Sequence, residues 1–164
     1  MTILTVRITK RTDGGAVLKC VRPDGSDTWQ KQEGKQGAFF PLHDLTHFAV
    51  ESELGIRNAF YGLIADGWAI DETTGKTPRG PLPPDALFVE GVVGTFDAER
   101  ASIGARWTAE EFNDSAAQLA KNGGRPAPPR KLTDDELARI RKRRAELFSR
   151  WSELPAGQDL ELQF

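Results

Sequence analysis

The sequence predicts an α+β fold, with an N-terminal antiparallel sheet that is joined by a C-terminal strand and packed against four or five helices. Three observations support this prediction. β-rich segments flank a glycine turn near the start, helix start and stop signals fill the middle, and the last residues again alternate between polar and apolar. The chain has 164 residues and 38% hydrophobic content. We expect one domain over residues 1–164, because single domains centre on about 100–150 residues.

Strand signals lie at both ends of the chain, within residues 1–40 and 158–164. Near the start, ILTVRITK and AVLKCVR flank the turn sequence RTDGG, and an Asp-Gly or Gly-Gly pair between β-rich segments is a strong hairpin signal. A second turn, RPDGSD, leads into a third strand at residues 28–32. The terminal DLELQF alternates apolar and polar residues, so we expect it to pair with the N-terminal sheet.

Helix signals occupy residues 41–154. Pro41 suits a first helical position and Gly55 suits a helix stop, which together predict a helix over residues 41–54. The segment IRNAFYGLIADGW predicts a second helix that ends at Gly67, and a loop rich in glycine and proline follows it.

Three further helices are predicted after that loop. The segment DALFVEGVVGTFDAER is mostly apolar. Two capping boxes, in which threonine and glutamate side chains satisfy the free N–H groups of a first helical turn, mark two more starts. These pairs are Thr108 with Glu111 and Thr133 with Glu136, and they predict helices over roughly 109–121 and 134–153. The intervening NGGRPAPPRK is expected to form a stiff linker.

Composition indicates a cytoplasmic protein. No apolar segment approaches the roughly 20 residues that a membrane-spanning helix needs, and the N-terminus alternates instead of forming the apolar block of a signal peptide. The single cysteine, Cys20, excludes an internal disulfide and is expected to be a buried, unreactive thiol. The partner is not identified by the sequence, a membrane partner is not expected, and a homo-oligomer is compatible with the pattern.

Charge is unevenly distributed along the chain. Residues 40–115 contain 13 acidic and 5 basic residues, although the net charge of the whole chain is only −2. Such a segment favours a cation over an anion, while a solvated acidic surface would give the same count. Both histidines of the chain lie in this acidic segment.

The strongest candidate site is the stretch FFPLHDLTHFAVESELG, which contains His43 and His47. On a helix, side chains four positions apart are neighbours at about 5–6 Å between Cβ atoms, so two neutral imidazoles can converge on one cation. Asp44 and Glu51 fall on the same side of the predicted helix. A solvated helix face that carries these four groups without any metal is the alternative.

The HDLTH segment resembles the zincin metallohydrolases, whose helix carries H-E-x-x-H. The resemblance covers five residues and implies His43 and His47 as zinc ligands, with Asp44 in the place of the glutamate that acts as general base. Aspartate is one carbon–carbon bond shorter than glutamate, roughly 1.5 Å of lost reach. In this comparison Asp44 would orient or activate a water molecule, and the chemistry implied is metal-dependent hydrolysis.

A third metal ligand must come from another part of the chain or from Glu51. His43 and Glu51 are eight positions apart, which separates them by roughly 12 Å along a helix axis, so both cannot easily reach one ion. Glu90 interrupts an apolar predicted helix, where an unpaired carboxylate would be costly to bury, and it must reach solvent, a base or a metal. Asp97 falls on nearly the same side of that helix. The metal-free alternative pairs Glu90 with an arginine such as Arg57.

A second candidate site is the basic segment RIRKRR in the last predicted helix. The apolar stripe of that helix leaves four basic side chains on the other face, which we expect to be exposed: Arg139, Arg141, Lys142 and Arg143. Such a cluster can bind a phosphate backbone or an acidic protein. A solvated helix face is the simpler interpretation, and we do not expect nucleic acid because the chain lacks net basic character.

Two functional classes remain open from the sequence. The first is a metal-dependent enzyme, a hydrolase, that holds a divalent metal, with zinc as the default, through His43, His47 and Glu90 or Glu51. The second is a non-enzymatic interaction module that meets a protein or nucleic acid through the basic last helix. The sequence does not decide whether the protein is an enzyme.

Overall fold

The computed structural model describes residues 3–104 and 106–164. Within these ranges a four-stranded antiparallel sheet in the order β3-β2-β1-β4 packs against helices, which confirms the α+β class. The strands are β1 Thr5–Lys10, β2 Ala16–Val21, β3 Asp27–Gln32 and β4 Asp159–Gln163. The helices are α1 Lys35–Leu54, α2 Phe60–Ala65, α3 Pro84–Ala101, α4 Ala109–Asn122 and α5 Asp134–Glu153, with a short 3-10 helix at Ile70–Thr74.

The sheet follows the predicted alternation. β1 pairs with β2 across the RTDGG turn and with β4 on its other side, so that Ile8 lies opposite both Leu18 and Leu160. These three side chains are buried against the helices. The outer face is polar, and Arg7 binds Glu161 across the two strands at 2.8 Å. The prediction that the C-terminal segment joins the N-terminal sheet is confirmed.

Cys20 lies on the inner face of the sheet and is fully buried, as predicted. Burial raises the pKa of its thiol to about 12. The thiolate that would be needed for reactivity is therefore suppressed near neutral pH.

Helix α1 begins six residues earlier than predicted, because Pro41 lies inside it instead of at its first position. The first turns are held by a close contact with the β1–β2 hairpin. A Cβ added to Gly37 would lie 2.9 Å from the Cα of Gly15 and 3.1 Å from the carbonyl oxygen of Gln32. This packing stabilises the segment before the proline, which overrides the local start signal. The predicted end is confirmed, since Gly55 adopts a left-handed conformation.

Helix α2 is shorter than the predicted helix that ends at Gly67. The chain after α1 first turns across the start of α2, and a Cβ on Gly62 would lie only 1.9 Å from the carbonyl oxygen of Arg57. Residues 56–59 are therefore not helical. The two capping boxes are confirmed at the starts of α4 and α5, within one residue of the predicted bounds.

Helix α1 is the central element of the fold. It contacts the sheet, α3 and α5, and every residue from Asp44 to Glu51 is buried. Leu45, Phe48 and Ala49 belong to the apolar core, as the sequence pattern predicts. The other side of the helix carries the ionisable groups, which meet Gln32 of β3, Glu90 of α3 and the start of α2 instead of solvent. The alternative of a solvated face is therefore wrong for Asp44, His47 and Glu51, which are buried.

Candidate metal centre

Three of the predicted ligands meet where α1 and α3 pack together. His43 and His47 lie on successive turns of α1, with ring centroids 4.9 Å apart. Glu90 reaches them from α3, and its Oε1 lies 3.2 Å from Nε2 of His47. One ligand atom from each of the three residues lies within 4.8 Å of the others. The structure thus brings together two imidazoles and a carboxylate.

Each histidine has a carboxylate at its Nδ1 atom. Asp97 of α3 places Oδ2 at 2.7 Å from Nδ1 of His43, and Glu51 places Oε2 at 3.4 Å from Nδ1 of His47. These contacts favour a proton on both Nδ1 atoms, which leaves Nε2 of each ring for a metal. Metal-binding histidines commonly have such a partner, because it sets the tautomer and orients the ring.

Glu51 is held in this role from α2. Its Oε1 accepts a hydrogen bond from the backbone N–H of Tyr61 at 2.9 Å, and Oε2 faces the His47 ring. Glu51 is therefore outside the three-residue cluster, as expected from its separation from His43 along the helix. Glu51 therefore contacts His47 from outside the cluster, and Glu90 is its third member.

The cluster has a buried side and an open side. The side chains of His47 and Glu51 are 2% and 0% exposed, whereas those of His43 and Glu90 are 19% and 38% exposed. A molecule from solvent can therefore approach the cluster from the side of Glu90 and His43.

Electrostatics in the cluster are dominated by the contacts of His47. Burial by itself would lower the pKa of His47, but the hydrogen bonds and charges of Glu51 and Glu90 outweigh it and raise the pKa to about 10. Burial raises the pKa of Glu51 despite its hydrogen bond with His47. Burial also acts to raise the pKa of Glu90, but the hydrogen bond with His47 prevails and lowers it. Without metal, the protonated ring of His47 therefore lies between two carboxylates, with Glu51 at Nδ1 and Glu90 at Nε2.

Asp44 does not join the cluster. Its Oδ2 accepts a hydrogen bond of 2.7 Å from Nε2 of Gln32, the last residue of β3, and the side chain is buried. Burial raises the pKa of Asp44 to about 6, although Gln32 and the two histidines act in the other direction. The geometry therefore does not fit the role of a water-activating base. The sequence gives no signal for the contact with Gln32, because no local pattern links the end of a strand to a helix residue twelve positions later.

The basic residues of α5 are less exposed than expected. Arg141 forms a largely buried ion pair with Glu99 of α3, and its side chain is only 15% exposed. The other two arginines also have carboxylate partners, Arg139 with Glu53 and Asp135, and Arg143 with Glu146. The expectation that all four are exposed is wrong for Arg141, which pairs with Glu99 of α3, whereas Arg143 is 31% exposed. Lys142 is exposed.

Comparison with known proteins gives no relative from which a function could be transferred. The chain matches no protein-family model, and no curated protein or solved structure is significantly similar to it. The resemblance of the HDLTH segment to zincins therefore stays a prediction. None of the helices in residues 3–104 and 106–164 has the length and apolar character to cross a membrane.

Proposed function

We propose that this protein binds one divalent transition-metal ion, with zinc as the default, through His43, His47 and Glu90. The convergence of these three side chains from two helices carries the proposal. Two imidazoles and one carboxylate form a donor set that zinc uses in catalytic sites.

Distances within the cluster are compatible with this ion. The 3.2 Å between Nε2 of His47 and Oε1 of Glu90 is close to the roughly 3.3 Å between two ligand atoms on a tetrahedral zinc with bonds of about 2.0–2.1 Å. An ion would replace the proton that these two atoms share in the metal-free protein. The carboxylates of Asp97 and Glu51 would hold the rings in the orientation that binding requires.

We further propose that the centre supports hydrolysis. Zinc with three protein ligands retains a coordination position, and a water molecule bound there is activated as a nucleophile. The partial exposure of His43 and Glu90 supports access for a substrate. Asp44 is not assigned a step, because its carboxylate is engaged by Gln32.

Metal analysis after dialysis against zinc tests the binding proposal. We expect about one zinc ion per chain and a thermal stabilisation. At a free zinc concentration of about one hundred times Kd, binding contributes roughly 2.7 kcal/mol. For a chain of this size, that corresponds to roughly 5–10 °C in Tm.

The decisive variant is Glu90→Gln, with Glu110→Gln as its control. Glutamine keeps the shape of the side chain and removes the charged ligand, so zinc affinity should fall at least tenfold while the metal-free protein stays folded. Glu110 is exposed on α4, and its variant should bind zinc normally. Two results would contradict the proposal: the unchanged protein binds no zinc, or Glu90→Gln binds zinc as tightly as the unchanged protein. His43, His47 and Glu90 would then form an ion-pair cluster without a metal, and the interaction module would become the better hypothesis.

A further inference from the structure

An apolar groove lies on the side of α3 that faces α4. It has a volume of about 310 Å³ and is closed on the third side by the proline-rich segment 125–130. Side chains that line it include Leu87, Phe88, Val92, Phe112, Ala116 and Pro128. Leu87 is 54% exposed, so part of the apolar lining is open to solvent.

Both ends of the proline-rich wall are anchored to α4. At its start, the backbone N–H of Arg125 donates to the carbonyl oxygen of Ala120 at 2.8 Å. At its end, the side chain of Asn113 makes two hydrogen bonds to the backbone of Leu132, each of 2.9 Å. Prolines 126, 128 and 129 restrict the backbone between these anchors. The groove is therefore preformed, so a ligand does not have to order its wall on binding.

Two arginines line the groove. Arg130 is neutralised by Glu136 at 2.9 Å and lies over the ring of Phe88. Arg125 also lines the groove, and it has no carboxylate within 4.0 Å among residues 3–104 and 106–164. Its guanidinium is exposed and can form charge-assisted hydrogen bonds with an anion.

We propose that this groove binds a small apolar molecule that carries one anionic group, with the apolar part between α3 and α4 and the anion at Arg125. The volume is at the lower end of the roughly 300–1,000 Å³ of small-molecule sites, and a mostly apolar lining with a few polar groups is typical of them. The ligand class is that of a medium-chain carboxylate. This proposal rests on the groove and on Arg125 and does not require a bound metal, although the charge of Arg125 also acts on Glu90 of the candidate metal centre.

Calorimetry with three ligands of equal chain length tests the proposal: decanoate, decanol and decyltrimethylammonium, each below its aggregation concentration. A chelator is present throughout, so that the carboxylate cannot coordinate a metal. We expect decanoate to bind at least tenfold more tightly than the other two. Equal affinities for the three, or no binding of decanoate, would overturn the proposal.

Two variants locate the binding. Arg125→Gln should reduce the affinity for decanoate to that for decanol, and Ala116→Trp should remove binding by filling the groove. Lys142→Gln is the control, because it removes an exposed cation on α5 that does not line the groove, and it should leave the affinity unchanged. Retained binding in a folded Ala116→Trp protein would show that decanoate binds elsewhere and would overturn the assignment to the groove.

Discussion

At the scale of single residues, the most informative side chain is His47. It is buried and has a carboxylate on each ring nitrogen, that of Glu51 from its own helix and that of Glu90 from α3. A buried charge of this kind is stable only when it is paired, or when a metal replaces the proton. In the proposed metal-bound form, the ion would take the place of the proton between His47 and Glu90, while Glu51 would keep its contact with the ring.

The carboxylate of Asp97 makes a testable contribution to the proposed centre. Its hydrogen bond to Nδ1 of His43 orients the ring and increases the basicity of Nε2. Asp97→Asn should therefore weaken zinc binding by roughly 10–100-fold, measured by competition with a chromogenic chelator. Asp85→Asn, an exposed substitution on the same helix, should leave the affinity unchanged. Equal affinities in the two variants would contradict a positioning role for Asp97.

At the scale of elements, close backbone contacts decide where helices begin. Gly37 packs on the hairpin and Gly62 packs on Arg57, and neither position has room for a Cβ. These contacts explain why α1 starts before Pro41 and why α2 starts only at Phe60. Local start signals were overridden in both places by packing between elements.

Two glycines in helices should respond oppositely to alanine. Gly62→Ala places a Cβ about where Arg57 has its carbonyl oxygen, and should cost about 3 kcal/mol or more in the free energy of unfolding. Gly94→Ala on α3 meets open space, and should stabilise by about 0.5–1 kcal/mol through helix propensity. Urea unfolding measures both values. A mild effect of Gly62→Ala would show that the turn over α2 is adaptable.

The basic residues of α5 provide a second matched pair. Arg141→Gln removes the charged partner of Glu99, whose carboxylate keeps the N–H of Trp107, and should cost about 2–3 kcal/mol. Lys142→Gln, one position along, should stay within about 0.5 kcal/mol. The same unfolding measurement applies. Equal effects would place Arg141 on a solvated face, as the sequence pattern had suggested.

At the scale of the whole molecule, the first and last strands close the fold. β4 pairs with β1 along its length, although the two are separated by almost the entire chain. Its inward side chains, Leu160 and Leu162, complete the core under α1. The sheet therefore reaches its full width only after the rest of the chain has been placed.

The contribution of β4 can be measured with one substitution on each face. Leu162→Ala should cost about 2–5 kcal/mol, because it removes a buried side chain from the core. Gln163→Ala on the exposed face should change stability by about 0.5 kcal/mol or less. Thermal unfolding compares the two. A small loss for Leu162→Ala would mean that β4 packs only loosely on the sheet.

The sequence by itself determined the features that depend on neighbours along the chain. The hairpin, the capping boxes of α4 and α5, the stop at Gly55 and the shared side of His43 and His47 all follow from local spacing. Tertiary structure decided what those elements meet. Glu90 is the third member of the cluster with His43 and His47. Glu51 contacts His47, and Asp44 accepts a hydrogen bond from Gln32. These contacts depend on how α1 is placed against α2, α3 and the sheet. Periodicity shows which residues share a helix face, but burial of that face is set by the element packed on it.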